Sequence, residues 1–106
     1  MEKRKCTRFE VQIPFAFSGT EIAGGGLVTS LSKNGCSVVS DESVRPNAFL
    51  ALRLQLPEHY APLKVEVAEV RWVNGMRFGV EFRHLRSEEQ ERLLRFITWV
   101  ETTQNN

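Results

Sequence analysis

Runs of alternating apolar and polar residues constrain the fold of this chain more than any other feature of its sequence. Between Phe9 and Phe17 every second residue is apolar, and between Leu50 and Leu56 leucines alternate with Ala, Arg and Gln. A period of two is typical of a β-strand that buries one face and exposes the other. Pro14 lacks an N–H group and is therefore expected at a sheet edge or beside a β-bulge.

Turn residues divide the other apolar segments into pairs of strands. Asn34-Gly35 separates segments 27–31 and 36–40, and Asn74-Gly75 separates 65–72 from 76–82. Asn-Gly is a hairpin signal because both residues tolerate a positive φ angle. The alternation within 65–72 changes phase once, which indicates a β-bulge. The run Gly24-Gly25-Gly26 is interpreted as a hairpin turn or a bulge, because a phosphate-binding loop would precede a helix and here a strand pattern follows.

A helical pattern occurs at the C-terminus. Ser87 followed by Gln90 is a capping-box pattern, and Glu88 and Glu89 suit the positive end of a helix dipole. Apolar residues then recur at helical spacing at positions 93, 94, 96, 97 and 100. The sequence therefore predicts an all-β fold, a closed or partly closed barrel of six short antiparallel strands with one terminal helix over an open end.

Length and charge limit the classes of function. The 106 residues, 42% of them hydrophobic, are the size of one domain with one core. Lysine and arginine total 14 against 13 aspartate and glutamate, so no overall field attracts nucleic acid or anionic lipid. No apolar stretch approaches the ~20 residues that span a bilayer. The start MEKRKC lacks the apolar run of a secretion signal, so a cytoplasmic protein with reduced thiols is expected.

The positions of histidine and cysteine do not indicate an enzyme or a metal site. His59 and His84 are the two histidines, and neither has the spacing of a metal ligand. Cys6 and Cys36 have no histidine nearby in the sequence to activate a thiolate. The chain is therefore predicted to have no catalytic activity, no cofactor and no metal.

Positive charge is concentrated before the first predicted strand, at Lys3, Arg4, Lys5 and Arg8. One interpretation of this run is a solvated basic tail. The other depends on the spacing Arg4-x-x-x-Arg8 together with the turn at 30–35, which offers hydroxyls, backbone N–H groups and a glycine. Guanidinium groups bind phosphate and the acceptor edge of guanine bidentately and stack on bases. The combination favours a nucleotide site.

These residues resemble the motifs of the PilZ domain, a bacterial receptor for the second messenger cyclic di-GMP. The family pattern is R-x-x-x-R before the first strand and [D/N]-x-S-x-x-G near a later turn. Arg4 and Arg8 match the first motif, and Ser32 and Gly35 match the second. Ser30 stands where Asp or Asn is expected. Segment 78–82 is similar to a late strand of the family, so the resemblance covers nearly the whole chain.

The resemblance implies a fold and a function. The fold is a single PilZ-like domain over 1–106, with a flexible basic ligand-binding segment at 1–8, a six-stranded antiparallel barrel at 9–86 and a C-terminal helix at 87–102. The function is a stand-alone receptor that binds cyclic di-GMP and relays it to an unidentified protein partner. We expect a monomer or weak dimer, without membrane insertion and without a nucleic acid polymer as partner.

The resemblance also implies a set of ligand-binding residues. Arg4 and Arg8 are expected to engage phosphate and guanine, and Ser30 and Ser32 to hydrogen-bond a guanine edge. Gly35 is expected to keep the turn compact. Further candidates near the barrel mouth, which the sequence alone does not separate, are Cys36, Arg53, Arg71, Trp72 and Arg77.

Two other functions remain open at this point. A PilZ-like adaptor that does not bind cyclic di-GMP, and acts only through protein contacts, is the main alternative because Ser30 lacks the charge of an aspartate. A small barrel that binds single-stranded nucleic acid would need exposed aromatic residues. The strand aromatics instead fall on the predicted core phase, at Phe9, Phe15, Phe17, Phe78 and Phe82.

Overall fold

The structure is a computed structural model that describes residues 7–57 and 61–104. Within these residues it consists of six antiparallel strands and one helix. The elements are β1 (Phe9–Gly19), β2 (Ile22–Leu31), β3 (Gly35–Ser40), β4 (Phe49–Leu54), β5 (Leu63–Asn74), β6 (Arg77–His84) and α1 (Ser87–Gln104). The strands close into a barrel in the order β1-β2-β3-β6-β5-β4. The predicted six-stranded antiparallel barrel with one C-terminal helix is confirmed.

The strand β2 is longer than the sequence predicted. It begins at Ile22 and includes Gly24–Gly26, which pair with β1 in regular register. The turn lies just before it, with Glu21 at a φ of 60°. The interpretation of the glycine run as a turn or bulge is therefore wrong. A Cβ atom at Gly26 would collide with the carbonyl oxygen of Val39 on β3, so the close approach of two strands requires this glycine.

A bulge interrupts β1 near Pro14. The register between β1 and β2 shifts between Glu10 and Ile13, immediately before the proline. The carbonyl of Pro14 accepts a hydrogen bond from the N–H of Gln55 at 2.9 Å, which continues the contact with β4 beyond the last register pair. A closed barrel offers no free edge, and the proline occupies the other position expected for it, beside a bulge.

Strand β5 has two irregularities in its pairing with β6 and is joined to it by a tight turn. Its register with β6 shifts between Val67 and Ala68 and again between Val70 and Trp72. The phase change in the sequence predicted one such bulge. Gly75 follows with a φ of 64°, as expected for the glycine of a tight hairpin connection.

The hydrophobic core fills the barrel interior and continues beneath α1. The Phe17 ring stacks on Phe15 with centroids 5.9 Å apart and meets the Phe78 ring edge-on at 5.8 Å. The alternation seen in the sequence therefore predicted the inward face of β1 correctly. The helix contributes three buried side chains, Leu93, Phe96 and Val100.

Polar contacts fix α1 to the segment that enters β5. The guanidinium of Arg92 donates to the carbonyl of Ala61 at 2.6 Å and to that of Pro62 at 3.3 Å. It also pairs with the Glu89 carboxylate at 3.1 Å, and that carboxylate accepts the backbone N–H of Lys64 at 3.3 Å. The helix is thereby held over one end of the barrel. No helix among the described residues is long and apolar enough to cross a membrane.

Candidate ligand-binding groove

A row of residues crosses the outer face of the barrel over five strands. Glu10 on β1 pairs with Ser30 on β2, and Ser30 pairs with Ser37 on β3. Ser37 pairs with Gly79 on β6, which pairs in turn with Trp72 on β5. Glu10 and Trp72 are exposed, and Ser37 lies between the buried Cys36 and Val38, so the paired side chains of this row share the outward side. The strand register thus brings together residues from distant parts of the chain.

An open groove of about 770 Å³ runs along this row. Its lining combines a carboxylate, a guanidinium, an amide, three hydroxyls and an indole ring. The residues are Glu10, Val11, Gln12, Thr29, Ser30, Ser37, Trp72 and Arg77. Such a mixture of a stacking surface, a cation and hydrogen-bonding groups suits a polar ligand with aromatic bases.

Trp72, which is 41% exposed, forms one wall of the groove. It packs over Gly79, where a Cβ atom would collide with the indole nitrogen and the adjoining ring carbon. The missing side chain at Gly79 therefore lets the ring lie against the sheet. A held aromatic ring with an exposed surface is suited to stacking on a base.

Arg8 approaches the groove from the segment before β1. Its guanidinium NH1 donates a hydrogen bond to the Ser30 hydroxyl at 3.3 Å. The structure thus brings together one residue from each of the two motifs that the sequence singled out. Arg4 and Cys6 lie outside the described residues, so Arg8 is the arginine of the first motif whose position is known.

Cys36 is buried and precedes the groove residue Ser37 on β3. Burial raises the pKa of its thiol to about 12, while the positive charge of Arg8 acts in the opposite, lowering direction. The thiol is consequently protonated at neutral pH and unreactive as a nucleophile. Cys36 is therefore a core residue and not part of the groove lining.

Ser32 is buried in the turn between β2 and β3. Its hydroxyl accepts the N–H of Asn34 at 3.1 Å and donates to the carbonyl of Gly35 at 3.4 Å. The backbone N–H of Ser32 donates to the same carbonyl at 2.9 Å. The side chain is thus occupied by the turn itself, and it does not line the groove that contains Ser30. The contacts of Ser32 shape the backbone between the two strands.

Gly35 brings that turn against β6. A Cβ atom at Gly35 would collide with the carbonyl oxygen of Val80. The next contact along the strand is a hydrogen bond from the Phe82 N–H to the carbonyl of Asn34 at 2.8 Å. The compact turn that the sequence analysis expected from Gly35 therefore depends on a close approach to a neighbouring strand.

Metal binding finds no support within the described parts of the chain. No group of three or more His, Cys, Asp or Glu side chains there could hold a metal ion. His84 is exposed, and its Nε2 lies 3.2 Å from a carboxylate oxygen of Glu66. His59 lies outside the described residues.

Comparison with known families gives this geometry a context. The family model of the PilZ domain matches residues 2–99 of the chain. The chain belongs to the PilZ domain family. PilZ domains are regulatory receptors for cyclic di-GMP and not enzymes, and no catalytic family is indicated. No curated protein sequence gives a significant match.

Solved structures share the fold of this PilZ domain at low sequence identity. The Bacillus subtilis inhibitor of motility, MotI/DgrA, superposes with a TM-score of 0.81 at 20% identity, over 100% of this chain and 55% of that one. The PilZ domain of CeSA from a cellulose-synthesizing bacterium gives 0.70 at 16% identity, over 90% of this chain and 98% of that one. YcgR from Escherichia coli, solved in complex with c-di-GMP, gives a TM-score of 0.75 at 11% identity, over 98% of this chain and 48% of that one. The chain thus spans about half the length of MotI and YcgR.

The structure separates the further candidates that the sequence left together. Trp72 and Arg77 line the groove, whereas the guanidinium of Arg71 lies 3.3 Å from the Glu81 carboxylate and 3.7 Å from that of Glu69. Arg53 is on β4, which contributes no residue to the lining. The sequence analysis missed Glu10, Val11, Gln12, Thr29 and Ser37 as groove residues. The period-two pattern marks Glu10 and Gln12 as outward-facing but places Val11 on the core phase, and only the register between strands shows that this part of β1 adjoins Ser30.

Proposed function

We propose that this PilZ domain binds cyclic di-GMP in the groove beside Arg8 and relays that binding to a protein partner. The observation that supports the proposal best is the hydrogen bond from Arg8 to Ser30, because it joins the two motifs at the groove. A solvated basic tail is not expected to contact one particular hydroxyl on β2, whereas a ligand-binding arginine is. Membership of the PilZ family supports the choice of ligand.

The chemistry of the groove fits the parts of the ligand. Cyclic di-GMP has two phosphates and two guanine bases, and the arginines Arg8 and Arg77 offer planar donors for phosphate oxygens or for the acceptor edge of guanine. Trp72 offers a ring on which a base stacks. Ser30 offers a hydroxyl that both donates and accepts.

The remaining motif residues take two roles in this proposal. Arg4 acts with Arg8 on the phosphates and guanine, as the family resemblance implies. Ser32 and Gly35 act indirectly, because their contacts within the turn and with β6 hold the backbone beside Ser30. Ser32 is therefore a positioning residue rather than a direct guanine contact.

The relay to a partner is supported by the surroundings of the groove. A pocket of about 230 Å³ between β1 and α1 shares Glu10, Val11 and Gln12 with the groove. Its far wall includes Trp99 of α1, which is 50% exposed. A ligand that moves the β1 bulge would therefore alter a surface beside an exposed aromatic residue, of the kind that protein partners bind.

An adaptor that does not bind cyclic di-GMP is the second candidate. Ser30 favours it, because a hydroxyl at that position provides a weaker acceptor than the carboxylate typical of the family. Such an adaptor would retain the barrel and the surface of α1 and act through protein contacts alone.

Calorimetry separates the two candidates. We expect cyclic di-GMP to bind with a Kd in the micromolar range or below, which corresponds to about 8 kcal/mol, and to raise the Tm. GTP and cyclic GMP serve as controls and are expected to bind at least about tenfold more weakly, because each presents only one guanine. No heat and no Tm shift with ~1 mM cyclic di-GMP would favour the adaptor.

A further inference from the structure

Glu10 is the carboxylate of the groove. Among the described residues that line it, Glu10 carries the only acidic side chain. It lies where the β1–β2 register begins to shift, and its register partner on β2 is Ser30. The carboxylate therefore belongs to the same end of the groove as the hydroxyl that Arg8 contacts.

The hydrogen-bonding groups of guanine match a carboxylate at this place. The N1–H and N2–H₂ groups of guanine are adjacent donors that point in one direction, and a carboxylate accepts both with charge assistance. The Ser30 hydroxyl already accepts a hydrogen bond from Arg8 and carries no charge. Adenine presents a ring acceptor in place of the N1–H donor and only its amino group as a donor, so its edge cannot pair with both carboxylate oxygens.

On the basis of the proposed function, we infer that Glu10 is a specificity-determining residue that selects guanine in this groove. The acidic group acts from β1, directly across the ladder from Ser30 on β2. The cations Arg8 and Arg77 bind phosphate, which all cyclic dinucleotides share. Arginine donors at the acceptor edge of guanine leave its N1–H and N2–H₂ groups unpaired, so selection through these two donors depends on the carboxylate.

The alternative role for Glu10 is to balance positive charge. A carboxylate near Arg8 and Arg77 would lower the local positive potential and weaken the binding of any phosphate ligand. Removing its charge would then strengthen all cyclic dinucleotides by the same factor. The two roles therefore predict opposite effects on cyclic di-GMP.

The decisive variant is Glu10→Gln, measured by calorimetry with cyclic di-GMP and cyclic di-AMP. We expect it to weaken cyclic di-GMP by about tenfold and to leave cyclic di-AMP unchanged or slightly tighter, so that the preference for guanine falls. Glu91→Gln on α1 is the matched control, because it removes the same charge from an exposed carboxylate that does not line the groove. It should leave both affinities unchanged.

A double variant tests the position of the carboxylate while keeping the net charge of the groove unchanged. Glu10→Gln combined with Ser30→Asp moves the carboxylate across the ladder to the paired residue. This variant is expected to recover most of the guanine preference lost in Glu10→Gln. A double variant that discriminates no better than Glu10→Gln would contradict the shared location of the two groups at the base.

The results distinguish this inference from the proposed function. If the parent protein does not bind cyclic di-GMP, the proposed function is wrong and the role of Glu10 is wrong with it. If the parent binds cyclic di-GMP and Glu10→Gln keeps the same ratio of affinities, the proposed function stands and only the inference is overturned. Equal tightening of both dinucleotides would identify Glu10 as a charge-balancing residue instead.

Discussion

Arg8 and Ser32 show two ways in which single residues support a binding groove. Arg8 is exposed, and its described hydrogen bond goes to the Ser30 hydroxyl, which is a contact that a ligand phosphate can replace. Ser32 is buried, and its hydroxyl bonds to Asn34 and Gly35 within one turn. A change at Arg8 should therefore affect binding, whereas a change at Ser32 should first affect the turn.

Arg8→Ala tests the direct role. We expect it to weaken cyclic di-GMP by at least about tenfold, because a charge-assisted contact to phosphate or guanine is worth ~1.5 kcal/mol or more. The Tm should remain nearly unchanged, because the side chain is exposed. Calorimetry and thermal unfolding measure the two effects separately.

The matched control for that variant is Arg95→Ala. Arg95 is an arginine of α1 with a side chain 68% exposed, and its partner is the Glu91 carboxylate at 3.9 Å. The substitution Arg95→Ala removes the same charge from a residue that does not line the groove. Equal affinities in the parent, Arg8→Ala and Arg95→Ala would show that Arg8 is part of a solvated tail.

At the scale of elements, the β5–β6 hairpin forms one wall of the groove by pairing a large side chain, that of Trp72, with a glycine that has no side chain, Gly79. Trp72 lies over Gly79, and the exposed surface of the indole depends on that glycine. The hairpin is thus a rigid support for a ring, held by the strand register and by a tight turn with Gly75 at a φ of 64°.

Gly79→Ala tests this arrangement. The new methyl group would meet the indole, so we expect the ring to move, the protein to lose ~1 to 3 kcal/mol of unfolding free energy, and cyclic di-GMP to bind more weakly. In a Trp72→Ala background the same substitution should cost much less, because the three atoms nearest to the new methyl group all belong to Trp72. Urea unfolding of the four proteins gives the coupling, and equal costs in both backgrounds would contradict it.

The elements also show where sequence analysis succeeds and where it ends. The alternation in β1 and β4 and the Asn-Gly pairs are local signals, and they predicted strands, turns and the barrel. The glycines of β2 were interpreted wrongly. Gly26 is required by the close approach of the Val39 carbonyl, and Val39 lies on another strand, so no local pattern shows this. The groove was only partly predictable for the same reason. Arg8 and Ser30 belong to motifs, whereas the place of Glu10 beside Ser30 depends on the register.

At the scale of the whole molecule, one buried ionisable group links folding to pH. Cys36 lies in the core of the barrel, and burial raises the pKa of its thiol from 9.0 to about 12. Above pH 9.0 the unfolded thiol ionises while the folded thiol stays protonated until about 12. The contribution of Cys36 to stability is thus fully present below pH 9.0 and is lost as pH rises toward about 12.

The expected result is a steeper loss of stability at alkaline pH in the parent than in Cys36→Ala. The difference between the two proteins should grow by up to about 1.4 kcal/mol for each pH unit above the unfolded pKa. Urea unfolding at several pH values between 8 and 11 measures it, and comparison with the variant cancels other groups that titrate there. Parallel profiles would mean that Cys36 ionises equally in both states.

The closed order of strands in the barrel also restricts how another protein can recognise this domain. In the order β1-β2-β3-β6-β5-β4, each described strand has a neighbour on both sides, because β4 pairs with β1. Proteins with open sheets often recruit an extended peptide as an added strand, through backbone groups at the sheet edge. Closure removes that route here. A partner must therefore recognise side chains on the outer face or on α1, so recognition depends on the residues displayed and not on backbone complementarity.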